Sequence, residues 1–345
     1  MQDRFGREIN YLRVSVTDRC NFRCTYCMPP SGIRPLSDPS EILSYEEILE
    51  TARAAIKLGI TKFRITGGEP LVRRDITNFL EEMVRLPGVE KVALTTNGYL
   101  LEEFAGRLSK IGLHSINIAL NSLDRDNFRR ITGIDGLAKV IDGAKRLLAN
   151  GFANIKINTV LLKGYNENEI SEFARLTLDY PVAIRFIEYM PCGDWQSSAG
   201  DIISGREIKK QISAGLGELI DLGNLSARQA GGDGPAQYYR LPNAKGRIGF
   251  ILPVSQPFCG ECNRLRLTSD GRLKSCLLSE EETDVKTILR KMKPACASAR
   301  GGSASGGKAS SGRDERLEYA IRDAILAKPK AHSHKRDNVM SRIGG

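Results

Sequence analysis

Between Leu12 and Met190 the chain passes six times from a short β-branched run to an amphipathic helical pattern, and few folds tolerate that alternation. The runs cover residues 12–16, 62–66, 91–95, 115–120, 156–161 and 183–188. Strand-helix units in series build a parallel sheet through right-handed crossovers, because a right-twisted strand returns over its own sheet only that way. Six units fall short of the eight that close a barrel, so the expected fold is α/β, a partial (β/α)6 TIM-like barrel left open. Helix boundaries are marked in the same stretch. Ser44 with Glu47 three residues on makes a capping box, Ile48, Ala52, Ala55 and Ile56 form the stripe, and Gly59 ends it. Asp75 is expected to cap the next helix, whose stripe is Ile76, Phe79, Leu80 and Met83. Ligands of such folds bind at the carboxyl ends of the strands, so the residues just after each run carry most interest.

Past Met190 the alternation stops. A helical stretch at 205–214 precedes a hairpin-like pair around 238–252, and residues 295–312 are Gly, Ala and Ser with a few basic residues before a last helical pattern at 313–326. The expected division is a partial barrel at 1–200, a small C-terminal α+β domain at 201–293, a flexible linker at 294–312, and a helix with a double-glycine tail at 313–345. At 345 residues there is length enough for a large and a small domain.

Six of the eight cysteines fall into two tight groups, while Cys192 and Cys296 stand apart. Cys20, Cys24 and Cys27 lie in TDRCNFRCTYCMPP directly after the first run, with the spacing C-x3-C-x2-C. Three thiolates can hold three irons of a cubane cluster and leave the fourth iron open for a substrate or cofactor. Structural zinc closes all four of its positions, and no further cysteine or histidine lies near in sequence to do so here. The second group, Cys259, Cys262 and Cys276 in FCGECNRLRLTSDGRLKSC, again gives three thiols, for which a zinc ribbon is the alternative by spacing alone. The start, MQDRFGREIN, lacks the apolar core of a secretory signal and no apolar run approaches a membrane span, so a cytoplasmic protein with reduced thiols and no membrane partner is expected. The formal charge of +10 suits an anionic partner without choosing among nucleotide, nucleic acid and membrane surface.

The first cysteine run, with Tyr26 before its third thiol, resembles the signature of the radical S-adenosylmethionine (SAM) enzymes. TGGEPLVRRD, LTTNG, RFIEYMP, CGECNRLRL and the terminal Gly344-Gly345 extend that likeness, over nearly the whole chain, to the GTP-cyclising branch that opens molybdenum cofactor biosynthesis. The resemblance implies two [4Fe-4S] clusters, one on Cys20, Cys24 and Cys27 and one on Cys259, Cys262 and Cys276. It implies SAM contacts from Tyr26, Gly68, Met190 and the position of Ala119, and GTP contacts from Arg13, Arg64, Thr95, Lys156, Arg264 and Arg266. Arg264 and Arg266, with a Gly344-Gly345 tail reaching the active site, are implied to be catalytic. The product would be (8S)-3′,8-cyclo-7,8-dihydroguanosine 5′-triphosphate, passed to a cyclic pyranopterin monophosphate synthase. An external electron donor is required, no nucleic acid is involved, and the chain would be a monomer or homodimer. One departure stands out: the branch commonly reads Ser-Leu-Asp where this chain reads Ala119-Leu120-Asn121, which removes a hydroxyl from the SAM site. Two other readings keep the same cysteines. A peptide-modifying radical enzyme with an auxiliary cluster would close its second site with further cysteines, and a basic zinc module would bind nucleic acid with a steep salt dependence.

Overall fold

Branched apolar and polar residues alternate along each of the six runs, and the chain uses the two resulting faces differently. The structure, a computed structural model, describes residues 1–27, 38–190, 202–223, 234–291 and 307–331. The runs are strands β1 Tyr11–Ser15, β2 Lys62–Thr66, β3 Lys91–Thr96, β4 Ser115–Ala119, β5 Ile155–Leu161 and β6 Ala183–Glu188, paired in parallel in that order. Leu12, Val14, Phe63, Ile65, Leu94, Ile116, Ile118, Ile184 and Phe186 point to the outer face and join one buried core with the helices. These helices are α1 Tyr45–Lys57, α2 Ile76–Arg85, α3 Leu101–Leu108, α4 Arg125–Thr132, α5 Leu137–Ala149 and α6 Ile170–Asp179.

The capping box forms as expected: Glu47 N–H donates to Ser44 Oγ at 3.2 Å and Ser44 N–H to the Glu47 carboxylate at 2.8 Å. Asp75 does precede α2, but with φ 59° and no side-chain cap. A capping oxygen reaches the second or third amide from extended backbone, and the left-handed turn directs it elsewhere.

The C-terminal half is less separate than its composition implies. Beyond α7 Gly205–Leu216 come β7 Ile220–Asp221, β8 Gln237–Arg240, β9 Arg247–Ile251, β10 Arg264–Leu267, β11 Arg272–Lys274 and β12 Thr283–Asp284, then α8 Val285–Lys291 and α9 Gly307–Leu326. Among the described residues these strands complete one sheet in the order β12-β11-β10-β1-β2-β3-β4-β5-β6-β9-β8-β7. β9 adds in parallel to β6 and β10 in parallel to β1, so both exposed edges of the six-stranded unit are covered by the same small domain. The last helix begins at Gly307, not at 313, so the end of the expected linker is helical. Leu317, Ala320, Ile321, Ala324 and Ile325 are its buried positions, spaced as one helical face. No described helix is long and apolar enough to cross a membrane.

The sheet is curved. The Arg185 guanidinium on β6 feels Arg64 on β2 and Tyr11 on β1, although four strand spacings alone would separate β2 from β6 by about 19 Å in a flat sheet. Its concave face therefore encloses an interior.

Candidate active site

β1 ends at Ser15, and the segment leading to the first cysteine is held by the turn after β2. Gly68 N–H donates to the Thr17 carbonyl at 2.6 Å and Glu69 N–H to that of Arg19 at 2.8 Å. This approach requires glycine, because a Cβ on Gly68 would lie 2.3 Å from the Arg19 carbonyl oxygen. Glu69 is buried and collects three donors: Leu71 N–H at 3.0 Å, the Thr96 hydroxyl at 2.7 Å and Asn97 N–H at 2.6 Å. Burial pushes its carboxyl up to about 7, with those donors working against the rise. The Asn97 amide group donates onward to Asn21 Oδ1 at 2.7 Å and to Cys20 Sγ at 3.8 Å. A continuous chain of contacts thus runs from the ends of β2 and β3 to the first thiol.

Cys20, Cys24 and Cys27 are unpaired and part-buried. Burial raises all three thiols, Cys20 to about 11 and Cys27 to about 12. Cys24 is pushed up further by Cys27 and Cys20, and Cys27 by Cys20. Three thiols that oppose one another's ionisation become thiolates together only against strong positive charge, which is what an iron–sulfur centre brings. Among the described residues no three His, Cys, Asp or Glu side chains converge as a single-ion site; a cubane takes one thiolate per iron and needs no such convergence. Tyr26 is half-buried beside them and accepts a hydrogen bond from Asn121 Nδ2 at 2.8 Å. Asn121 is fixed in turn by accepting from Val160 N–H at 2.9 Å.

The inner face of the sheet is cationic. In register across the strands stand Arg266, Arg13 and Arg64, then one step along Thr95, Asn117 and Lys156, then Ala119, Asn158 and Arg185. A barrel interior is ordinarily filled with branched apolar side chains; here Lys156 is 2% exposed, Arg185 6% and Arg266 9%. Arg64 donates to Thr95 Oγ1 at 3.3 Å and to the Tyr11 hydroxyl, and Arg185 Nε to Asn158 Oδ1 at 2.8 Å. Burial, then Arg266 and Arg64, pull the Arg13 guanidinium well below its ordinary value. Burial is the larger cause of that shift and crowding of like charge the second, and a bound polyanion would relieve the crowding.

The second trio forms because β10 and β11 are an antiparallel hairpin, Arg266 opposite Lys274. The hairpin brings Cys259 and Cys262, just before β10, to the same end as Cys276, just after β11. Since β10 runs parallel to β1, that end is the amino end of the barrel strands, whereas the first trio follows their carboxyl ends. The two trios therefore lie on opposite sides of the Arg266-Arg13-Arg64 row, the second toward the amino ends of the strands and the first beyond their carboxyl ends. The carboxyl-end rule holds for the first trio and fails for the second, because a strand added to the edge can carry its ligands before it. Burial raises the Cys262 thiol, but Arg264 and Lys328 outweigh it and bring it down to about 7.

Sequence comparison now separates the readings. Residues 14–177 match the family model of the radical SAM superfamily and residues 182–300 that of Molybdenum Cofactor Synthesis C. The GTP 3′,8-cyclase of Thermodesulfovibrio yellowstonii is 46% identical over 349 residues, covering all of both chains. That of Geobacter sulfurreducens is 47% identical over 96% of this chain and 93% of its own. The chain belongs to the GTP 3′,8-cyclase family. Solved structures share the fold at lower identity: Streptococcus suis SuiB bound to S-adenosylmethionine has a TM-score of 0.54 at 16% identity, covering 81% of this chain and 61% of that one. Native anSMEcpe with bound AdoMet has a TM-score of 0.51 at 16% identity, covering 79% of this chain and 77% of that one.

Of the residues that the cyclase resemblance implicates, Arg13, Arg64, Thr95, Lys156, Arg264 and Arg266 all occupy inward register positions, and Tyr26, Gly68 and Ala119 lie at the first-trio end of the strands. Met190 follows β6 by two residues and is part-exposed. Gly344, Gly345, Cys192 and Cys296 fall outside the described residues. Sequence reading passed over Arg185, Asn97 and Lys328. Arg185 had a signal, since it takes the inward position of RFIEYMP by simple alternation; Asn97 and Lys328 act through contacts that no local pattern encodes.

Proposed function

We propose that this enzyme converts GTP into (8S)-3′,8-cyclo-7,8-dihydroguanosine 5′-triphosphate, the first step of molybdenum cofactor biosynthesis, with GTP held inside the barrel between two cysteine-ligated [4Fe-4S] centres. The observation that carries this reading is the cationic inner face, flanked by a thiol trio at each end. Cys20, Cys24 and Cys27 would hold one centre, whose chemistry with SAM would be to supply a 5′-deoxyadenosyl radical, and Cys259, Cys262 and Cys276 would hold the other, which would bind guanine and supply the closing electron.

The chain's own residues position the reactants. Arg13, Arg64, Lys156 and Arg185 face one cavity from β1, β2, β5 and β6, and their donors suit a triphosphate. Arg266 stands level with Arg13, and Arg264 lies one step nearer the second trio, where the two would meet the nucleotide nearer its base. Thr95, already touched by Arg64, adds a hydroxyl. Tyr26, Gly68, Met190 and the Ala119 position border SAM at the other end. In the substrate the C3′–H bond breaks, a C3′–C8 bond forms, and N7 takes one electron and one proton. Fixing the nucleotide at both ends selects C3′ by distance, and enclosure keeps water from the radical. The Gly344-Gly345 tail, an external electron donor and the receiving synthase complete the reading as its expected partners.

Iron and sulfide analysis of anaerobically reconstituted protein, with GTP binding to the same material, tests it. Two clusters per chain and GTP bound at the second support it; zinc without sulfide, or failure to bind GTP, would remove it.

A further inference from the structure

We propose that Lys328 is a positioning residue for the second thiol trio, bracing the two backbone segments that carry its ligands and placing a positive charge beside them. Lys328 counts in the sequence only as part of a basic tail, yet in the fold it is 3% exposed, just beyond the end of α9. A buried ammonium is costly unless its donors are used. Nζ donates to the carbonyl of Arg264 at 2.8 Å and to that of Ser275 at 2.8 Å. Arg264 is two residues past Cys262, and Ser275 immediately precedes Cys276. One ammonium thus ties the hook that carries Cys259 and Cys262 to the strand end that carries Cys276.

A second buried cation fixes the brace itself. Arg7 donates from Nη1 to the carbonyl of Cys259 at 2.7 Å and to that of Lys330 at 3.3 Å, and from Nη2 to that of Pro329 at 2.7 Å. Its Nε pairs with Asp3 at 2.6 Å. Residues 328–330 are therefore held to the segment carrying the second trio, and that bracing joins three stretches of chain remote in sequence, at Arg7, at 259–276 and at 328–330. Thiolates and the sulfides of a cluster are electron-rich, and positive charge or hydrogen-bond donors beside them favour the reduced form. Lys328 is the buried ammonium facing Cys262 and Cys276. A lysine that served only to end α9 would need one carbonyl of that helix; this one reaches two carbonyls of the ligand-bearing hairpin instead.

The inference rests on the reading that the second trio holds a cluster, and the wild-type protein tests that reading separately. Wild type, Lys328→Met and Lys328→Arg would be reconstituted anaerobically, assayed for iron and sulfide, and titrated by redox potential with electron paramagnetic resonance. The first centre, followed by SAM cleavage without GTP, reports the integrity of the fold. Lys328→Met is expected to retain SAM cleavage while losing roughly half its iron, one of two [4Fe-4S] centres, or to keep that iron with the second centre at a more negative potential. Lys328→Arg, which keeps charge and donors, is expected to restore the wild-type values. Unchanged iron and unchanged potential in Lys328→Met would overturn the assignment. Parallel loss of both centres would do the same, since it would place Lys328 in the fold at large. Iron for one cluster in the wild type would overturn the two-centre reading and this inference with it.

Discussion

Arg13, Arg64, Arg185 and Arg266 share one interior, and like charges held together away from water oppose their own burial. On the proposed function their ligand is a polyanion, so removing one should harm nucleotide use before it harms the centre that cleaves SAM. Arg266→Ala, which deletes charge-assisted hydrogen bonds each worth about 1.5–3 kcal/mol, is expected to weaken GTP-dependent turnover by roughly ten- to a hundredfold. Formation of 5′-deoxyadenosine without GTP should stay near the wild-type rate, and equal loss in both assays would assign the residue to the fold. Ala119 gives the converse case. It ends β4 opposite Asn158, on the inward side near the first trio, where a serine would add one hydroxyl. Ala119→Ser should tighten SAM binding by about 0.5–1.5 kcal/mol, the net value of one neutral hydrogen bond; calorimetry with SAM on the reconstituted protein reads this directly, and an unchanged affinity would sink the alignment of that position.

At the scale of elements, Glu69 joins the turn after β2 to the end of β3, and its carboxyl sits at about 7, above the ordinary 4.5. The folded state thus holds the Glu69 proton more tightly than the unfolded chain does. That contribution is complete below about pH 4.5, and is lost as pH rises through about 7. Its size is up to about 3 kcal/mol at about 1.4 kcal/mol per pKa unit. Denaturant titrations of the cluster-free chain should show wild-type stability falling across this window relative to Glu69→Gln, and parallel curves for the two would contradict the burial argument. The six barrel strands were legible in sequence to within one residue at each end, because each is a short β-branched run bounded by turn or helix signals. Their inward residues were named from the resemblance, and alternation explains why they share a face, with Arg13 between Leu12 and Val14 as the plainest case. What escaped was the pairing of β9 and β10 with opposite edges of the sheet, the left-handed Asp75, the early start of α9 at Gly307, and the burial of Lys328. The strand pairings and the burial of Lys328 depend on partners far away in the chain, which no window of residues contains.

Over the whole molecule, the sheet sets the two cysteine trios at opposite ends of its strands. Parallel pairing of β10 with β1 places the second trio at the amino end of the strands and the first past the carboxyl end, with the arginine row between. The segment from β9 to β10 starts at the carboxyl end of one edge and finishes at the amino end of the other, crossing the open side. Glu188 anchors its start, accepting from Val254 N–H and Ser255 N–H at 2.8 Å each. The small domain therefore completes the wall of the cavity more than it covers the mouth. A nucleotide spanning this interior would present its sugar to the SAM end and its base to the other, and the site of hydrogen removal reports that orientation. The most direct test is incubation of the anaerobically reconstituted enzyme with SAM, reductant and GTP carrying deuterium at C3′, with mass analysis of both products. One deuterium transferred to 5′-deoxyadenosine, together with a cyclised nucleotide joined between C3′ and C8, is the predicted result. Deuterium retained in unchanged GTP while 5′-deoxyadenosine accumulates would contradict it.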